Sequence, residues 1–209
     1  SMSTPSASIM AGTEPREALI SDLNGDGKPE VVISEEHVFT WYASEGRDGY
    51  AAANKTIKPF DEEEGPHIVF ADAKQTIYLA DMSGNGMTDI VRIRNGEVCY
   101  WPNLGYGKFG SKVALDNSPV FDRPDAFNPA YLRLADIDGS GTSDIIYLAK
   151  NKFTCWKNLS GNRFASIPFE ITAFPEIHSQ AKITVTDLLG NGIACIVWSC
   201  PLSKDANSP

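Results

Sequence analysis

With 209 residues, 42% of them hydrophobic and 10% aromatic, the chain has enough material to bury a core as one domain. Its 27 acidic residues outnumber 18 basic ones for a formal charge of -9, and no Lys or Arg stripe could neutralise phosphates, so nucleic acid is excluded as a partner. No apolar stretch is long enough to span a bilayer, and the acidic balance favours divalent cations as guests.

In chain order, residues 1–14 read as a disordered leader, 15–203 as the folded segment and 204–209 as a disordered tail. The opening "SMSTPSASIMAGTEP" lacks the apolar centre of a signal peptide, and Ser1-Met2 has the look of a cloning remnant. Any export signal is expected to lie outside this sequence.

The folded segment repeats one motif four times: "DLNGDGKPEVV" from Asp22, "DMSGNGMTDIV" from Asp81, "DIDGSGTSDII" from Asp136 and "DLLGNGIACIV" from Asp187. The starts are 59, 55 and 51 residues apart, a period that points to a propeller or solenoid. Short apolar or β-branched runs precede each Asp (Ala18 to Ser21, Ile77 to Ala80, Leu132 to Ala135, Ile183 to Thr186), and similar runs follow the loop. A third strand is predicted in three units, at "HVFTWY", "EVCYW" and "KFTCW", ending on Trp41, Trp101 and Trp156, 19, 20 and 20 residues after the loop Asp. An aromatic at Tyr50, Phe109 and Phe164 is expected to open the fourth strand.

These elements predict an all-β fold of four-stranded antiparallel propeller blades. The Trp and Phe residues are expected to pack between blades, since large aromatics are mostly core material. The fourth unit is too short to supply its third and fourth strands. The chain therefore reads as a partial propeller of about three and a half repeats, whose exposed blade edges would invite homo-oligomers or capping by other segments of a parent chain.

The loops carry the chemistry. Oxygen-bearing side chains at alternate positions, closed by a carboxylate at position 9, suit a hard cation such as Ca²⁺, which takes about six to eight oxygens. The candidate ligands are Asp22, Asn24, Asp26, Lys28 and Glu30 in loop one, and Asp136, Asp138, Ser140, Thr142 and Asp144 in loop three. A weaker set is Asp81, Ser83, Asn85, Met87 and Asp89 in loop two, where position 7 would offer its carbonyl as Lys28 and Thr142 do. An EF-hand is excluded, because position 12 is Ile33, Arg92, Tyr147 or Trp198 rather than Glu. Loops one and three hold three carboxylates each and should fill first; loop four has only Asp187 and should be a turn. The competing reading is an Asx-type turn that needs no metal, and it is favoured for loop two. Any metal would be structural.

Catalysis has no visible carrier, since His37, His67 and His178 are isolated and no HExxH, GxSxG or P-loop pattern occurs. The run "DEEE" from Asp61 reads as a solvated loop. Cys99 and Cys155 sit one position out of step relative to their Trp, so they should face opposite sides of their strands; Cys195 and Cys200 lack zinc spacing. Asn54 and Asn158 are glycosylation sequons if the parent enters a secretory pathway. The Pro-rich stretch from Asn117 to Tyr131 is a candidate contact surface.

The loops resemble the FG-GAP/VCBS repeats of integrin-like propellers. The run "ADMSGNGMTDIVRIRNGEVCYWPNLGYGKFGSKVALDN", followed by "RLADIDGSGTSDIIYLAKN", is similar to the middle/N-terminal region of the B component (TcdB) of Tc insecticidal toxin complexes, which are related to SpvB-type toxins. The resemblance is strong from about Phe60 to Asn158 and weaker outside it. It implies a propeller within a cocoon-like shell, in which the B component and its partner enclose a toxic enzyme and the propeller docks on a pore subunit. The expected role is thus a non-catalytic scaffold and docking module, part of a larger secreted virulence protein, with other toxin-complex subunits as partners. The alternative is an integrin-like or lectin-like, Ca²⁺-stabilised module that binds glycan or protein.

Overall fold

The computed structural model describes residues 17–34, 38–66, 76–149, 152–171 and 182–199. The leader, the tail, His37, His67, His178 and Cys200 lie outside the described residues. Strands β1 (Glu17–Ser21), β2 (Glu30–Ser34), β3 (Val38–Tyr42) and β4 (Asn54–Ile57) form one antiparallel sheet in that order. A second sheet has β5 (Thr76–Ala80), β6 (Asp89–Arg94) and β7 (Glu97–Trp101); after a hairpin of β8 (Asn103–Gly105) and β9 (Lys108–Phe109) it is completed by β10 (Val113–Ala114). The third repeats this plan with β11 (Leu132–Ala135), β12 (Asp144–Ala149), β13 (Lys152–Trp156), a hairpin of β14 (Asn158–Leu159) and β15 (Arg163–Phe164), and β16 (Phe169–Ile171). A two-stranded sheet of β17 (Lys182–Thr186) and β18 (Cys195–Ser199) follows. The chain is all-β: among the described residues, helical geometry is confined to the three-residue turns Gly46–Asp48 and Pro129–Tyr131.

Each Asp loop joins the first two strands of its sheet. The register pairs Ser21 with Glu30, Ala80 with Asp89, Ala135 with Asp144 and Thr186 with Cys195. Position 9 is therefore a ladder residue as well as a loop residue. That double membership draws its carboxylate inward: Glu30, Asp89 and Asp144 are all fully buried.

The chain divides into two compact units, 1–81 with 86–94 and 99–114, and 82–85 with 95–98 and 115–209. The core of the first gathers Leu23, Val32, Phe39, Trp41, Ile90, Cys99 and Trp101. Gly107 belongs to it by necessity: a Cβ there would come within 2.3 Å of the Trp41 indole. In the second unit Ile146, Leu148, Phe153, Cys155 and Ile183 form a core, with Trp198 packed against it. Trp41, Trp101 and Trp156 are buried, as expected of packing residues. Cys99 shares a core with Trp101, whereas Cys155 lies among Phe153 and Ile146 while Trp156 meets Phe121 edge-on, so the two thiols do differ in face relative to their Trp.

Two expectations need correction. Tyr50, Phe109 and Phe164 do not open the fourth strands; Phe109 and Phe164 close the inserted hairpins, and Tyr50 makes only an isolated bridge with Ser44. The acidic run from Asp61 is an exposed turn, as expected, and is also anchored: Glu62 pairs with buried Arg92 at 2.8 Å and accepts the Trp101 indole N–H through its carbonyl at 2.7 Å, while Glu63 pairs with Lys112. The Asn158 sequon is blocked in the folded chain, because that side chain is buried and hydrogen-bonded. The Pro-rich stretch is likewise partly engaged, with Phe121 and Phe127 stacked on each other and both in contact with Tyr147.

Candidate metal centre

The turn chemistry of the loops is fully visible. In loop one the Asp22 carboxylate accepts the N–H groups of Gly25 and Gly27, both at 2.8 Å, Asn24 accepts from Asp26, and Asp26 accepts from Lys28. Asp136 does the same for Gly139, Ser140 and Gly141 in loop three, and Asp187 for Asn191 and Gly192 in loop four. In loop two Asp81 accepts from Gly86. Paired glycines at positive φ, such as Gly139 at 77° and Gly141 at 88°, let the backbone curl around the carboxylate.

An Asx turn does not exhaust these carboxylates, since each ionised group offers about four lone-pair sites. Two loops gather three of them. Ligand atoms of Asp22, Asp26 and Glu30 lie within 4.8 Å of one another, as do those of Asp136, Asp138 and Asp144. Oxygens bound to one Ca²⁺ at roughly 2.3 to 2.6 Å can be at most about 5.2 Å apart, so both clusters have the right scale. In loop one the Asn24 oxygen accepts the Asp26 N–H at 2.9 Å, and in loop three the Ser140 and Thr142 hydroxyls bond to each other at 3.0 Å while Thr142 also donates to the Asn158 carbonyl. In loop two, Met87 packs beside Gly25, Ser83 is part-buried, and Asp89 accepts the Asn103 backbone N–H.

Electrostatics separates the members of loop three. Burial pushes the Asp144 carboxyl up to about 6, against the backbone N–H groups of Asn158 and Ile137 that favour its charged form. The Lys157 ammonium, 3.0 Å from Asp138, holds the Asp138 carboxyl below the usual carboxylate range. Asp187 in loop four is also held low, first by the Gly192 N–H.

One functional pair escaped the motif reading. Asn103 and Asn158 each lie two residues after a core Trp and are almost fully buried. The Asn103 amide donates to the carbonyls of Leu23 at 2.7 Å and Thr88 at 3.0 Å, and its oxygen accepts from Gly105. Asn158 donates to Met82 at 2.8 Å and Ser143 at 3.2 Å and accepts from Gly161. Their backbone N–H groups cap the position-9 carboxylates Asp89 and Asp144. Each asparagine thus clamps its own Asp loop to that of the preceding repeat. The available signal was the shared Trp-x-Asn of "WPN" and "WKN", which the first unit replaces with "WYA".

No protein-family model matches the chain, and no curated protein does. Among solved structures, a chain of the Photorhabdus luminescens Tc holotoxin pore aligns at 32% identity with a TM-score of 0.75, over 91% of this chain and 9% of that one. The TcdB2–TccC3 crystal structure shares the fold at 18% identity and TM-score 0.59, over 89% of this chain and 14% of that one. So does an Agrocybe aegerita lectin specific for non-reducing terminal N-acetylglucosamine, at 21% identity and TM-score 0.63, over 89% of this chain and 47% of the lectin. In sequence and fold the chain is therefore similar to a segment of a Tc toxin component, and it spans only 9% of that protein's length.

Proposed function

We propose that this chain is a non-catalytic β-propeller segment of a Tc-toxin-like B component, serving as scaffold and docking module in a secreted toxin shell. The observation that carries the reading is 32% identity sustained over 91% of the chain against the Tc holotoxin chain. The four-stranded antiparallel sheets and the asparagine clamps between successive loops support it, because such sheets are the building units of a propeller. Its partners would be other segments of the parent chain and other toxin-complex subunits.

The test is reconstitution of the parent protein with its toxin-complex subunits, with and without residues 15–203. Loss of shell assembly or of binding to the pore subunit, with the enclosed enzyme's own activity unchanged, is the expected result; an intact complex after deletion would overturn the reading. A second reading, a glycan-binding module, draws on the fold shared with the N-acetylglucosamine lectin. The buried tryptophans are unavailable to stack on sugars, so exposed aromatics such as Tyr106 and Phe60 would have to serve. Specific binding of the isolated chain on a glycan array would favour it.

A further inference from the structure

The fourth unit has two strands where the other three have four, so among the described residues the outer edge of β18 has no partner strand. In the third repeat the same edge is taken by β13, whose register sets Trp156 opposite Ile145, at position 10 counted from the loop Asp. Position 10 of the fourth unit is Ile196. Residues directly opposite in an antiparallel pair share a face, so a strand joining β18 in this register puts its Trp beside Ile196.

A groove of about 320 Å³ lies at that place, lined by Ile137, Cys155, Phe169, Ile171, Ala194 and Ile196. Three of these residues match the surroundings of Trp101 in the core of the first compact unit. Ile137 stands at position 2 as Leu23 does, Ile196 at position 10 as Ile90 does, and Cys155 pairs with position 11 as Trp41 does. The settings differ in exposure: Leu23 and Ile90 are buried, whereas Ile137 and Ile196 are only partly so. The polar side of the setting recurs as well. Asn103 and Asn158 each bond the position-2 carbonyl of the preceding loop and the position-8 carbonyl of their own. For the fourth unit those two carbonyls belong to Ile137 and Ala194, both of which line the groove.

We propose that the β18 edge and this groove form an acceptor site for an antiparallel strand carrying Trp-x-Asn, with its indole in the groove and its amide on the Ile137 and Ala194 carbonyls. The tail from 200 to 209 cannot supply that strand, since it contains no aromatic residue. A second copy cannot either. Joining two β18 edges about a two-fold axis would bring both third sheets onto one face of a four-stranded sheet, where β13 and β16 of one copy already flank the groove. The occupant is another segment of the parent chain, and this source, unlike the site itself, rests on the function proposed above. One anchor is weaker than in the other repeats. The Asn103 and Asn158 N–H groups are held by the buried carboxylates Asp89 and Asp144 at position 9, where the fourth unit has Cys195, and a thiol is a poor acceptor. The incoming strand is therefore held less tightly than its counterparts.

The test is titration of the chain, under reducing conditions, with a dye-labelled peptide of residues 151–160, "NKFTCWKNLS", followed by fluorescence anisotropy. Saturable binding is expected, weakened roughly tenfold or more when the peptide carries Trp156→Ala or Asn158→Ala. Cys195→Asp in the chain should tighten binding roughly threefold or more, by restoring the carboxylate anchor. The position-9 counterparts of Cys195 are fully buried, so in the intact parent protein Cys195 should be shielded from a disulfide reagent that reaches it in the isolated chain. No binding at millimolar peptide, binding indifferent to both peptide substitutions, no gain in Cys195→Asp, or equal Cys195 reactivity in parent and isolated chain would each overturn the proposal. Peptide binding as expected, with a toxin complex left intact by deletion of residues 15–203, would remove the shell role and leave the acceptor site standing.

Discussion

Asn158 reaches 76 residues back along the chain to donate its side-chain amide to the Met82 carbonyl at 2.8 Å. Asn103 makes the same connection to Leu23 across 80 residues at 2.7 Å. A loop that begins as local turn chemistry is thereby locked to the next repeat. The same asparagine backbone also satisfies the buried carboxylate of its own loop, so one residue type holds two consecutive loops in register.

Replacing Asn158 by Ala should cost about 3 kcal/mol. The change strips partners from the carbonyls of Met82 and Ser143 and from Gly161 N–H, and each buried group left unsatisfied costs about 1 to 3 kcal/mol without simple additivity. Asn158→Asp, which keeps the shape but not the amide donor, should be at least as damaging. Urea denaturation of both variants checks this, and a loss below about 1 kcal/mol would remove the clamp.

Gly107 should not tolerate a side chain. Its φ of 70° already disfavours an L residue, and the added Cβ would press into the Trp41 ring. Gly107→Ala is expected to lose about 3 kcal/mol, combining a left-handed penalty with overpacking. Gly86→Ala, at a φ of 82° with nothing within 4 Å, should lose only about 1 kcal/mol. Comparing their urea midpoints separates sterics from backbone strain.

Asp144 should make folding depend on pH in an unusual direction for a carboxylate. Its folded value of about 6 lies above the ordinary 3.8, so the folded state binds the proton more readily than the unfolded one. This contribution to stability is fully present below pH 4 or so and is lost as pH rises through about 6, a difference of roughly 3 kcal/mol. Asp138 and Asp187, held low, act in the opposite sense. The difference in stability between the unaltered chain and Asp144→Asn, followed from pH 4 to 7, should therefore slope in that window; a flat difference would contradict the burial argument.

Thiol reactivity should follow burial. Cys155 is 1% exposed and burial pushes its thiol up to about 11, whereas Cys195 is partly exposed. At pH 8 only about one Cys155 in a thousand would be thiolate, the reactive form. A disulfide reagent should modify Cys195 in the native chain and reach Cys155 only on unfolding. Equal rates would show that the core around Phe153 opens readily.

The sequence alone determined the repeat, the first two strands of each unit, the third strands that carry Trp41, Trp101 and Trp156, and the loops between first and second strands. These are local features: the Asp and paired Gly set the turn, and runs such as "DIVRI" and "DIIYL" set the flanking strands. Only the tertiary structure decided which carboxylate oxygens were already engaged. The Asn103 and Asn158 bonds to a preceding loop span 80 and 76 residues, more than a full repeat, and the inserted hairpins that carry Phe109 and Phe164 begin at those asparagines. Loops one and three are indistinguishable by carboxylate count. They part company because Asn158 N–H and the Lys157 ammonium arrive from a neighbouring strand in one, and nothing equivalent reaches Glu30 Oε1 in the other. Composition counts charges, but a hydrogen bond is a matter of position, and position is what the fold supplies.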